Sequence, residues 1–289
     1  DWAMVLDPDV VNLTSHTCRR FSIPTEFSAV FTDSGRTALR VAIRSLGLGQ
    51  GDAVLLPAYL CWTVVEAFTR EGVRPIFYSV GEGFRTSLND ILERGRHAKA
   101  VLVVDFFGFH SDLRRHLSDL RAEGLQIIYD VSHSLIEALT NPLGHVDAYV
   151  ASLRKVLPVP DGGVTLLRDA DEGLRLAWPT EPSAHAWTRI AAMILKEAWF
   201  RQQSTMKPGF REMALEAEAL LDKSSTIGGL SPVTRTLLPL FDLDYLAARR
   251  RENYAMLAEF SRDWPSGISC PFGLPDDSEC PLGFPILTK

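Results

Sequence analysis

Four cysteines among 289 residues are few, and they are scattered. Cys18, Cys61, Cys270 and Cys280 form no Cys-x-x-Cys pair, and no Cys/His spacing suits a metal site. Reduced thiols are the simplest account and fit a cytoplasmic protein. A disulfide between Cys270 and Cys280 stays open. No apolar run approaches the roughly 20 residues that a membrane span needs. The opening Asp1-Trp2-Ala3-Met4 has no basic region leading into an apolar one, so no signal peptide is visible. Internal repeats and low-complexity segments are missing as well. A net charge of −6 speaks against nucleic acid as a partner. The chain has no opening Met, and Gly283 to Lys289 stops as a strand begins, so a fragment is expected.

What is present is an ordinary globular composition, 46% hydrophobic and 23% charged, long enough for a large core and part of a second domain. Short apolar runs alternate with amphipathic ones. Strands are expected at Ala29–Thr32, Ala53–Leu56, Pro75–Val80 and Ala100–Val104. Helices are expected at Ala38–Leu46, Thr63–Glu71, Leu88–Arg94 and Ser111–Glu123, and one near Asp9–Leu13. Such spacing implies βαβ units, and so a three-layer αβα fold around a mainly parallel sheet. From Ala184 the pattern turns helical, with Glu212–Leu221 and Leu243–Phe260 following. The Arg249-Arg250-Arg251 triplet reads as a solvated helix face. Pro265–Pro281 reads as a linker or domain crossing. The domains expected are residues 1–240 and the start of a small C-terminal α/β domain, 241–289, incomplete as given.

The chain is organised around Gln126–Val164. Ile127-Ile128-Tyr129 reads as a buried strand with Asp130 at its carboxyl end, where ligands bind in open α/β sheets. A carboxylate there is costly unless paired, and a protonated pyridine nitrogen is a suitable partner. Ala148–Ala151 leads into Ser152-Leu153-Arg154-Lys155, with Gly162-Gly163 beyond. Burial and a neighbouring cation would expose the lysine's lone pair for Schiff-base formation, and the Ser152 hydroxyl could reach a phosphate oxygen. Asp130 and Lys155 together point to pyridoxal 5'-phosphate (PLP). Taken alone, Asp130 is better read as a capping acid and Lys155 as a solvated loop lysine. Ser-x-x-Lys also occurs in β-lactamases, but neither Ser-Asp-Asn nor Lys-Thr-Gly is present to support that chemistry.

Upstream, Asp33-Ser34-Gly35-Arg36-Thr37 opens a helix, a ready anion site because free N–H groups and the helix dipole face the ligand. Its plainer reading is an N-cap by Ser34. Right-handed crossovers bring this turn to one sheet edge with Pro57–Trp62, Asp105–Gly108 and Asp130–His133. An aromatic side chain in Pro57–Trp62 could stack on a flat ring, although Tyr59 and Trp62 suit the core equally well.

These segments together resemble the DegT/DnrJ/EryC1/StrS family of PLP-dependent sugar aminotransferases, of fold type I. The resemblance runs from about Phe31 to the end. It rests on Ser34-Gly35-Arg36-Thr37-Ala38-Leu39, on Gly47–Asp52 with Leu56–Tyr59, and on Asp130-Val131-Ser132-His133. Ser152-x-x-Lys155 with Gly162-Gly163, Arg250–Tyr254 and Cys280–Pro285 complete it. It implies that Lys155 forms the Schiff base and shuttles protons, and that Asp130 binds the pyridine nitrogen. Ser132 would lie beneath the ring and His133 bond the 3'-oxygen, while the Ser34 turn through Gly35 and Arg36, with Ser152, would hold the phosphate. The family's stacking aromatic falls on Cys61, a departure. A second departure is Ser225–Ser231, which lacks the Asn and Arg-Met-Ser that the family often supplies from a partner subunit.

The resemblance further implies a homodimer and transfer of an amino group from an amino acid donor to a keto acceptor, a keto-sugar nucleotide. Two alternatives stand beside it. One is another PLP reaction such as dehydration, against which Lys155 argues because the family's dehydratases replace it. The other is a degenerate PLP-fold protein that binds without turnover, favoured by the missing Asn and opposed by Asp130, His133 and Lys155.

Overall fold

The computed structural model describes residues 19–168, 181–201 and 207–288. The expected helix near Asp9–Leu13 lies outside them. Seven strands form one sheet: β1 (Phe27–Thr32), β2 (Ala53–Pro57), β3 (Arg74–Tyr78), β4 (Ala100–Val104), β5 (Gln126–Asp130), β6 (Ala148–Ser152) and β7 (Gly163–Arg168). Their order is β1-β7-β6-β5-β4-β2-β3. The five from β6 to β3 are parallel, whereas β7 runs antiparallel to both β6 and β1. The mainly parallel sheet expected from the alternation is therefore present.

The helices are α1 (Gly35–Ser45), α2 (Trp62–Arg70), α3 (Leu88–Arg94), α4 (Leu117–Ala122), α5 (Leu135–Ala138), α6 (Leu153–Val156), α7 (Ala184–Phe200), α8 (Lys207–Lys223), α9 (Pro232–Leu237) and α10 (Leu243–Phe260). The sheet buries both faces, which explains strands such as Ala100-Val101-Leu102-Val103-Val104 that are apolar at every position. On one face Val54, Leu56, Leu102 and Ile128 meet Leu39, Ile43, Val65 and Phe68 of α1 and α2. On the other, Leu55, Val101, Val103 and Ile127 meet Leu117, Leu120, Leu243 and Leu246 of α4 and α10. Helices on both sides of a sheet make the expected three layers.

Three local expectations change. Ser111–Glu123 is not one helix. Ser111 caps a 3₁₀ turn over Asp112–His116, and α4 begins only at Leu117. The arginine triplet of α10 is not simply solvated. Arg249 pairs with Glu252 at the surface, but Arg250 donates to Val156 O at 2.7 Å and Arg251 to the carbonyls of Asp277 and Glu279. Nor are Tyr59 and Trp62 core residues, at 54% and 71% exposure. Cys61, Cys270 and Cys280 are free thiols. At the C-terminal end, Ile268–Ser269 and Leu287–Thr288 pair as a small separate antiparallel sheet. No helix among the described residues is long and apolar enough to cross a membrane.

Candidate active site

Two adjoining cavities open at the carboxyl ends of the parallel strands. The first, about 280 Å³, is lined by Ser34, Gly35, Arg36, Cys61, Asp130, Ser132, Ser152 and Lys155, among others. The second, about 480 Å³, is lined by Tyr59, Cys61, Phe106, Phe107, Asp130, His133 and Lys155, among others. Cys61, Val64, Asp130 and Lys155 border both. All nine residues singled out from the sequence thus surround one bipartite space. Trp62 borders neither cavity.

The N-terminus of α1 forms one end. Ser34 caps it through a reciprocal pair: Thr37 N–H donates to Ser34 Oγ at 3.3 Å, and Ser34 N–H donates to Thr37 Oγ1 at 3.1 Å. The Thr37 hydroxyl donates onward to the buried Asp33 at 2.6 Å. The plainer reading of Ser34 as an N-cap therefore holds. Since the first N–H groups of a helix have no partner within it, those of Gly35 and Arg36 remain for a ligand. No acidic side chain occupies the first turn to neutralise the dipole. Gly35 is needed for close approach, because a Cβ there would lie 2.8 Å from Ser152 Cβ.

That packing sets Ser152 beside the α1 terminus. Its N–H donates to Ser132 Oγ at 3.0 Å, and Ser132 N–H donates to Asp130 Oδ1 at 2.8 Å. The ends of β5 and β6 are thereby stitched together. Asp130 itself borders both cavities. Lys155, one turn into α6, has Nζ 3.1 Å from His133 Nε2. His133 Nδ1 accepts the Phe107 N–H at 3.0 Å. Burial, and next the charge of Lys155, drive the His133 pKa down to about 4 against the pull of Asp130. The ring is therefore neutral at physiological pH.

Cys61 stands at the N-cap of α2 and contacts the Thr63 hydroxyl at 3.2 Å. Burial pushes its pKa up, but bonding from Thr63 and the nearby charges of Lys155 and Arg36 outweigh that and hold the thiol below its ordinary value. An aromatic wall closes the second cavity, with Tyr59 packed edge-on against Phe84 and Phe106.

Sequence reasoning missed the contribution of α8. Glu218 and Leu221 line the first cavity. Glu218 pairs with Arg154 at 2.5 Å and also with Arg189. Burial raises the Glu218 pKa, but the two arginines together lower it overall. Arg36 pairs with Asp222 at 2.8 Å. The sequence marked α8 as amphipathic, but an apolar stripe does not say where a helix docks.

The donor set fits a phosphorylated pyridine aldehyde. It combines an amine, a carboxylate with an unused oxygen, and a glycine-opened helix terminus flanked by arginine. The family model described as the DegT/DnrJ/EryC1/StrS aminotransferase family matches residues 25–169. The chain is 28% identical over 145 residues to GDP-perosamine synthase of Vibrio cholerae, covering 48% of this chain and 39% of that one. It is 29% identical over 158 residues to dTDP-4-dehydro-2,3,6-trideoxy-D-glucose 4-aminotransferase of Saccharopolyspora spinosa, covering 52% and 41%. These matches span about two-fifths of the relatives' own length. Among solved structures, NtdA from Bacillus subtilis with bound cofactor PMP aligns with a TM-score of 0.58 at 19% identity, over 90% of this chain and 55% of that one.

Proposed function

The chain belongs to the DegT/DnrJ/EryC1/StrS aminotransferase family, and from that premise we propose that it serves PLP-dependent amino transfer from an amino acid to a keto acceptor, a keto-sugar nucleotide. The carrying observation is that Asp130 and Lys155 border both cavities, one ending at the open terminus of α1 and the other at an aromatic wall. The first would take the cofactor's phosphate and the second the reacting substrates.

When bound, PLP supplies an aldehyde that condenses with amines and an electron-poor ring that draws electrons from the bond being broken. The protein's own groups supply the rest. The N–H groups of Gly35 and Arg36, the Arg36 guanidinium and the Ser152 hydroxyl would bind phosphate. Asp130 would hold a proton on the ring nitrogen. Ser132, fixed between Asp130 and Ser152, would support the ring from beneath, with Cys61 across from it. His133, neutral, would donate to the 3'-oxygen. The Lys155 amine would hold the cofactor and then move protons as base and acid. The aromatic wall would shield the reacting centre from water.

The small domain is proposed to begin near residue 241 with α10, and the protein to act as a cytoplasmic homodimer. Gel filtration showing only monomer would count against the dimer. The chemistry is tested by adding PLP to purified protein and recording the visible spectrum before and after borohydride. A band that reduction abolishes, with the label on the Lys155 peptide and lost in Lys155→Ala, is expected. A folded protein that gives no band overturns the proposal.

A further inference from the structure

Phe107 has φ +57° and ψ 15°, left-handed values that a bulky residue rarely adopts. Outliers of this kind persist only where surrounding structure holds them. Here the holding structure is the C-terminal segment. Leu282 N–H donates to Phe107 O at 2.7 Å. Gly108, at φ +89°, packs so closely on that segment that a Cβ would lie 2.1 Å from Cys280 O. Cys280 itself is buried.

The other side of the same turn faces the site. Phe107 N–H donates to His133 Nδ1 at 3.0 Å, so Nδ1 must carry a lone pair. The ring is neutral, and its one proton sits on Nε2, on the side of the ring that borders the second cavity. A continuous series of contacts therefore runs from Leu282 through the Phe107 carbonyl and N–H to the His133 ring and on to Lys155. An imidazole whose second nitrogen faced water would be free to exchange tautomers.

We propose that Phe107 is a positioning residue, and that the Cys280–Leu282 segment, by holding its backbone in the left-handed turn, fixes His133 as the Nε2–H tautomer and turns that proton towards the cavity that His133 lines. The docking of the C-terminal segment thus sets the donor pattern of the site. Only the functional consequence rests on the PLP reading, because the tautomer is a property of the chain alone.

The test is a long-range proton–nitrogen correlation spectrum of the cofactor-free full chain labelled with ¹⁵N-histidine, the His133 signals being assigned with His133→Gln. Wild type is expected to show a protonated Nε2 and a hydrogen-bonded, unprotonated Nδ1. Gly108→Ala, which drives a methyl into Cys280 O, is expected to lower the Nε2–H to Nδ1–H ratio about three- to tenfold, the worth of one hydrogen bond. Phe107→Gly, which keeps the N–H and suits the backbone, should leave it unchanged. If Gly108→Ala does not fold, Leu282→Pro, which deletes the N–H donated to Phe107, takes its place. A protonated Nδ1 in wild type, or an unmoved ratio in folded Gly108→Ala or Leu282→Pro, overturns the proposal. Failure to bind PLP would instead sink the functional reading and leave the tautomer result standing.

Discussion

Asp105 and Asp130 end neighbouring parallel strands after similar apolar runs, Val103-Val104 and Ile128-Tyr129, yet the molecule uses them oppositely. Asp105 is fully buried and spends both oxygens inside: Tyr129 Oη and Ser111 N–H donate to Oδ1 at 2.7 and 2.8 Å, and the Ser134 hydroxyl donates to Oδ2 at 2.7 Å. Burial pushes its carboxyl above the usual carboxylate range despite Arg114 and these bonds. Asp130 receives one backbone N–H, from Ser132, and faces two cavities. A strand-end acid with its lone pairs filled is a joint, whereas one with lone pairs left over is a binding group. The difference lies in the neighbours that reach each carboxylate, Ser111, Tyr129 and Ser134 for Asp105, and not in the apolar runs that lead up to the two acids.

The sharpest way to test that contrast is to remove each carboxylate. Asp130→Asn should lower turnover about 10²–10³-fold, the usual cost of deleting one preorganised electrostatic group, with little change in a urea melt. Asp105→Ala should cost about 2–4 kcal/mol of unfolding free energy, because it strands the Tyr129 and Ser134 hydroxyls and the Ser111 N–H. Urea titration checks this. A comparable stability loss in both variants would break the comparison.

Acid provides a second separation. The His133 pKa falls from an unfolded value near 6.5 to about 4 in the fold, chiefly by burial. Between those values the unfolded chain takes a proton that the folded one refuses, so stability falls as pH drops from about 6.5 to 4, by about 3 kcal/mol in all. His133→Gln should remove that part of the slope, leaving the share of His185, whose pKa burial also lowers. Asp105 acts with the opposite sign. Its raised pKa means the folded state holds the proton more tightly, and that advantage is lost as pH rises through the raised value. The pH dependence of thermal melts should change with opposite sign in Asp105→Asn and His133→Gln.

The smallest effect concerns a third carboxylate. Asp222 occupies Arg36 from the surface of α8, as a substitute anion that phosphate must displace. Asp222→Asn should tighten binding of PLP and of inorganic phosphate about two- to fivefold, within the range for a partly exposed ion pair. Calorimetric titration checks this, and an unchanged affinity would show that α8 takes no part in holding the phosphate.

The strands, the sheet class and the places of Asp130 and Lys155 were legible because apolar runs, β-branched residues and strand ends are local signals. The match to Leu88–Arg94 and Leu243–Phe260 is of that kind. The role of Asp105 was not legible, because its partners Tyr129 and Ser134 come from the next strand and loop. Neither was the turn at Phe107, since left-handed backbone is signalled by glycine or asparagine rather than phenylalanine. The break between Asp112–His116 and α4 escaped because both pieces keep apolar residues at helical spacing, with Leu113, Leu117 and Leu120 all buried.

The order of β1, β7 and β6 across the sheet governs when the site comes into being. The strand β1 is laddered along its length with β7, and Thr165 on β7 donates its hydroxyl to Ala38 O in α1 across 127 residues of chain at 2.6 Å. The helix terminus offered to phosphate is therefore held by contacts far apart in sequence, the kind that form late and slowly. During synthesis, α1 leaves the ribosome well before the strand that seats it. A growing chain should gain an ordered α1 terminus only once Arg168 has emerged and β7 can pair with β1 and β6.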